Sequence, residues 1–186
     1  MIIKDILKAA CTYLDDLAAL NYLNGSDNSP SSATLSRINS LVALAGLVVS
    51  ELASTYIPMK YKEEIAVENG RITFSDLTYN VTRIVSVKDF LGKVEYEFFP
   101  TYIAVKTGAP SCTVEYEYAP SNYGLTDSVG FSAEVTATLL SYGLCAEFCV
   151  KEGRFEEAMM WRKRYSEGVE RLCLPKNSKL AGRCWL

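Results

Sequence analysis

The 186-residue chain is 49% hydrophobic and 22% charged, enough for one full hydrophobic core and short for two. It contains no histidine, the commonest general base, proton shuttle and metal ligand, so Ser-His, Cys-His and His-zinc sites are excluded within a single chain. Its net charge of −3 is uneven: residues 151–186 hold 9 basic against 5 acidic side chains, while residues 1–150 hold 10 against 17, which raises nucleic acid or an acidic protein surface as a partner for the basic end.

Residues 2–23 repeat apolar side chains at helical spacing (Ile3, Ile6, Leu7, Ala10, Leu14, Leu17, Leu20), with Asp15 and Asp16 beside the stripe, and predict one amphipathic helix. The turn-rich "NGSDNSPSS" follows, and Ser31 or Ser32 can cap a second helix over residues 33–55. The apolar run within it, residues 41–49, is nine residues long, whereas a bilayer span takes roughly 20. A buried helix is expected, not an anchor. From Tyr61 the apolar period changes to two. Asn69-Gly70 lies between two alternating runs and tolerates the positive φ angles of a tight turn, predicting a hairpin. Further strands are expected at "VTRIVSV", "KVEYEFF", "TYIAVKT" and "CTVEYEYAP", arranged as an antiparallel meander. Helical period returns over residues 132–150 and, after a tight turn, over residues 155–172.

Helices and strands segregate along the chain, which predicts an α+β fold in which both chain ends build a helical bundle and an antiparallel sheet is inserted between them. The expected domain is residues 1–174, with helices within 2–56, the sheet within 61–119 and helices within 132–172. Residues 175–186, from Pro175 onward, are expected as an extended C-terminal tail. Leu14, Leu41, Leu44, Val48, Leu140, Leu144, Phe148, Phe155 and Val169 are the expected members of a core shared by the helices.

Four groups of residues carry candidate chemistry. Glu95, Glu97, Glu115 and Glu117 alternate with apolar side chains, so each strand directs acids to one face. Two of them could act as the acid and nucleophile of a hydrolase, though a solvated strand face, and from it an assembly surface, is the preferred reading. Cys145 and Cys149 stand one helical turn apart without a second ligand pair, which favours packing over zinc. With no secretory leader evident, all six cysteines are expected as reduced thiols. Arg162, Lys163 and Arg164 in "WRKRY", with Lys176, Lys179 and Arg183 beyond, could bind a nucleic-acid backbone, but interleaved glutamates favour a mixed-charge helix with Glu167 and Arg171 paired. Trp185 closes the tail as an apolar anchor for a partner pocket. No glycine-rich phosphate loop or other cofactor motif is present.

The order of elements from Tyr118 onward resembles the head-to-tail connector proteins of tailed phages and prophages. The resemblance rests on a strand ending near Pro120, a helix with the Ala146-Glu147 step, a turn at Gly153, and a second helix with "EEA" and the aromatic-basic run from Glu156 to Tyr165. The upstream "RIVSVKDFLGK" looks like the strand and turn of such virion proteins. The resemblance implies a structural protein and not an enzyme, without cofactors or metals. It would form a ring beneath the portal, meeting a tail or head-closure protein below, with DNA passing through the channel. Such a protein is expected in the host cytoplasm during assembly and then in the virion neck, away from membranes. Its extended terminus would grip the neighbouring ring, burying Trp185.

Overall fold

The computed structural model describes residues 1–174 except Asn28 and Ser121. It is an α+β structure with helices at both ends of the chain, as the segregated periodicity predicts. The helices are α1 (Ile3–Tyr13), α2 (Leu17–Asn24), α3 (Ser32–Thr55), α4 (Ala137–Lys151) and α5 (Phe155–Cys173). The strands are β1 (Met59–Ala66), β2 (Arg71–Thr73), β3 (Val81–Asp89), β4 (Gly92–Lys93), β5 (Tyr96–Phe98), β6 (Tyr102–Val105) and β7 (Ser111–Tyr118).

The bundle is built around α4, which packs against α1, α3 and α5. Nine of its residues are buried, including Leu140, Leu144, Cys145 and Phe148, so this helix is apolar on nearly every side. Gly143 sits where three helices converge. A Cβ there would meet Val48 Cγ1 at 2.7 Å and Tyr165 Cε2 at 3.1 Å, so only glycine permits this approach. Cys145 and Cys149 are buried free thiols in this interior, packing as small fillers. Leu41, Val48, Leu140, Leu144, Phe148 and Val169 are core residues as expected, with Leu14 and Leu44 partly buried against them. Phe155 is not; as the first residue of α5 it is 65% exposed. By length and composition α3 could cross a membrane, but its Leu41, Ala45, Val48, Val49 and Leu52 are buried within the bundle.

The predicted first helix is two helices. Asp15 has φ 55°, and Asp16 caps α2 by accepting from the Ala19 amide at 3.1 Å while pairing with Arg37 of α3 at 2.5 Å. An aspartate that binds its own downstream amide ends one helix and starts another. At the second helix it is Ser31 that caps, accepting from the Thr34 amide at 3.1 Å. The amides of Ile3 and Lys4, orphans at the start of α1, are satisfied by the carbonyls of Asp127 and Leu125, which ties the N-terminus to the segment before α4.

The strands form two antiparallel sheets, β1-β7-β3-β4 and β2-β6-β5, and not one meander. Asn69 and Gly70 do adopt φ 52° and 71° and close a single bridge between Glu68 and Arg71. The flanking strands then part: β1 pairs with β7 along its length, while β2 pairs with β6. The turn delivers the chain from one sheet to the other. The sheets pack over a second core, containing Ile72, Ile84, Val87, Val94, Ile103, Val105, Cys112, Val114 and Tyr116. The chain therefore buries two clusters where its length suggests one, and Tyr118 packs against both.

Candidate functional site

The four glutamates of the acidic strands do not come together. In β7, Glu115 and Glu117 alternate with the fully buried Val114 and Tyr116, so they point away from the intersheet core. Across β5 and β6, Tyr96 and Phe98 register with the buried Val105 and Ile103, which turns Glu97 and its neighbour Glu95 to the outside of the other sheet. The two pairs thus occupy opposite outer faces of the β-module.

Neither face is simply acidic. Glu115 lies between Lys62 and Ser86, accepting from the Ser86 hydroxyl at 3.2 Å, and Glu117 lies between Lys60 and Arg83. Glu95 and Glu97 both reach Lys106, at 3.8 and 3.7 Å, from exposed positions. The two faces, expected to be acidic, are mixed in charge, because neighbouring segments bring cations beside each carboxylate.

Another carboxylate, which the periodicity did not single out, is held by three donors. Glu63 in β1 turns inward, accepting from the Tyr116 hydroxyl at 2.5 Å, the Thr78 hydroxyl at 2.7 Å and the Thr78 amide at 3.0 Å. Burial alone would push it up, but these donors hold it below the ordinary carboxylate range. Tyr116, fully buried, is pushed far above the usual phenol value, by burial first and then by Glu63. Tyr61, Tyr79 and Tyr118 pack around it, Tyr79 stacking on Tyr118 at 4.3 Å. This network fixes the 77–80 segment to β1 and β7.

The basic residues of α5 splay. Arg162 pairs with Glu147 of α4 at 3.4 Å, Lys163 projects into solvent, and Arg164 lies 4.9 Å over the ring of Trp161. Trp161 belongs to an aromatic group with Tyr13 and Tyr142, at 5.3 and 5.7 Å. Consecutive helix positions are about 100° apart, so the three cations cannot share one face. Among the described residues, the ion pairs at α5 are Arg154–Glu157, from its N-cap, and Arg162–Glu147, and the expected Glu167–Arg171 pair does not form. Lys176, Lys179, Arg183 and Trp185 lie outside the described residues.

Two further features concern binding. Between α3 and α5, recesses of about 200 and 220 Å³ share Tyr56, Tyr165 and Ser166 and form one groove. Tyr165 is 8% exposed, and its hydroxyl has no hydrogen-bond partner among the described residues. At the far end of the β-module, the turn between β3 and β4 exposes Phe90 and Leu91 by 80% and 82%. Asp89 holds that turn, accepting from the amides of Leu91 and Gly92 at 2.8 and 3.0 Å and from the Thr107 hydroxyl at 2.8 Å. The sequence signal for the tip was available: two large apolar residues inside "DFLG", where turns usually carry polar ones. No protein-family model matches the chain, and none of the curated proteins matches it at a significant level.

Proposed function

We propose that the chain is a structural connector of a tailed-phage neck, a ring-forming protein placed between the portal and a tail or closure protein. The observation that carries this reading is the layout. Helices from both chain ends share one bundle around the α4–α5 hairpin, and a β-module inserted between them projects binding features away from it. The α4–α5 hairpin is the part that the connector resemblance from Tyr118 to Tyr165 covers, whereas the long inserted sheet departs from that family's pattern.

Two rival readings fit less well. A carboxylate-dependent hydrolase needs Glu97 and Glu115 in one cleft, and they lie on opposite faces of the β-module. A nucleic-acid-binding module needs a continuous basic face, and Arg162, Lys163 and Arg164 diverge. In the connector, work is done by binding alone: the bundle and β-module set the spacing between rings, and the basic terminal segment engages a neighbour.

The test is reconstitution. The full chain is expected to co-sediment with portal-bearing capsids and not with capsids lacking a portal. Deleting residues 176–186 is expected to abolish attachment while leaving thermal stability nearly unchanged. Failure of the full chain to attach would reject the connector reading, and normal attachment of the truncated chain would reject the role given to the terminus.

A further inference from the structure

The groove between α3 and α5 and the tip between β3 and β4 have complementary chemistry. Val48, Gly143, Ala146 and Val169 give the groove an apolar floor. Its rim carries Glu51, Glu147 and Glu170 against one cation, Arg162, which Glu147 already engages. The buried Tyr165 hydroxyl beside that floor lacks a partner among the described residues, a cost that a native site carries when something else supplies the bond. The tip presents Phe90 and Leu91 between Lys88 and Lys93, which register with each other across β3 and β4. Its one carboxylate, Asp89, is occupied by two amides and a hydroxyl of its own chain. It is thus an apolar knob on a basic collar, held in shape before any partner arrives.

The two features cannot meet within one copy. The register places Val81 opposite Tyr118, which packs against the bundle, and Lys88 opposite Thr113, so β3 runs away from the bundle and its tip stands at the distal end. The groove is in the bundle itself. We propose that the Phe90–Leu91 tip of one copy seats in the α3–α5 groove of the next, with Lys88 and Lys93 facing Glu51 and Glu170 and the Tyr165 hydroxyl donating to a main-chain carbonyl of the entering turn. A contact between two different patches of the same chain repeats head to tail, and it closes into a ring when the rotation between copies allows. The inference rests on the ring reading above and names the contact that would build the ring.

The exposed Cys173 lines the groove and provides a direct test. A Leu91→Cys variant, in a Cys184→Ser background, is expected to give a ladder of disulfide-linked oligomers on mild oxidation. Cys173→Ser should remove the ladder, and Glu68→Cys, an exposed control in the same module, should not produce one. Lys88→Glu with Lys93→Glu should weaken association by about tenfold or more, and mixing that variant with Glu51→Lys/Glu170→Lys protein should restore it. No ladder at the highest concentration at which the protein remains dispersed would overturn the contact. So would a ladder that appears only after residues 176–186 are deleted, because the groove would then belong to the chain's own terminus. Undiminished association of a Phe90→Ser/Leu91→Ser variant would reject this contact while leaving the connector reading to its capsid test.

Discussion

Glu63 shows how much one residue's role depends on which way its strand faces. In sequence it is one of two adjacent glutamates in "YKEEIA", equivalent to its neighbour Glu64. In the structure Glu64 accepts from Ser111 at the exposed surface, whereas Glu63 turns inward to three donors. Hydrogen bonds to a charged group contribute more than neutral ones, so Glu63→Gln is expected to cost about 1–2 kcal/mol near neutral pH. The pH dependence has a definite sign. Glu63 is depressed in the folded state, so it binds protons more readily when unfolded, and its contribution is complete above the ordinary carboxylate value and lost as pH falls through the folded one. The stability gap between parent and variant, read from urea unfolding across pH, should therefore close on acidification; a constant gap would reject the ionised assignment.

At the scale of elements, local chemistry and tertiary context divide the work. Asn69-Gly70 makes the expected turn, yet the hairpin ends after one bridge because β7 and β6, distant in sequence, outcompete the local pairing. Register and partner are set by which faces must be buried, which the turn cannot specify. The first helix breaks for a comparable reason, since Asp16 gains an amide and Arg37 together only when α3 is in place. Phe148 and Phe155 read alike as helical apolar positions, but one is 1% exposed over the bundle core and the other projects from the start of α5. Phe148→Ala should cost about 3–5 kcal/mol, and Phe155→Ala should stay within about 0.5 kcal/mol of the parent. Chemical denaturation of the two variants side by side checks the assignment of the shared core.

For the whole molecule, the opposite placement of the two glutamate pairs has an energetic signature. Glu95→Lys puts a second cation beside Lys106 at an exposed position, where charge contacts contribute little, and Glu115→Lys puts one beside Lys62 at a half-buried position and also removes the acceptor of the Ser86 hydroxyl. The Glu95 reversal should cost less than about 1 kcal/mol, and the Glu115 reversal about 1–2 kcal/mol because it also loses a hydrogen bond to a charged group. The double variant should equal the sum of the singles within about 0.5 kcal/mol, because the sites share no partner. A larger coupling energy in that double-mutant cycle would place the two carboxylates in one site and revive the hydrolase reading.

The sequence by itself determined what depends on near neighbours. The 3.6 and 2.0 periods located α3, α4, α5 and β7, the Asn-Gly pair located a turn, and the segregated order of helix and strand established the α+β class. Only the tertiary structure decided what depends on distant partners. It set the split into two sheets and two cores, the cations beside each glutamate, the inward turn of Glu63, and the groove lined jointly by α3, α4 and α5. The physical reason is that period and turn chemistry are properties of a short stretch of backbone. A face, a pairing and a cavity exist only once segments far apart in the chain have buried their apolar sides against one another.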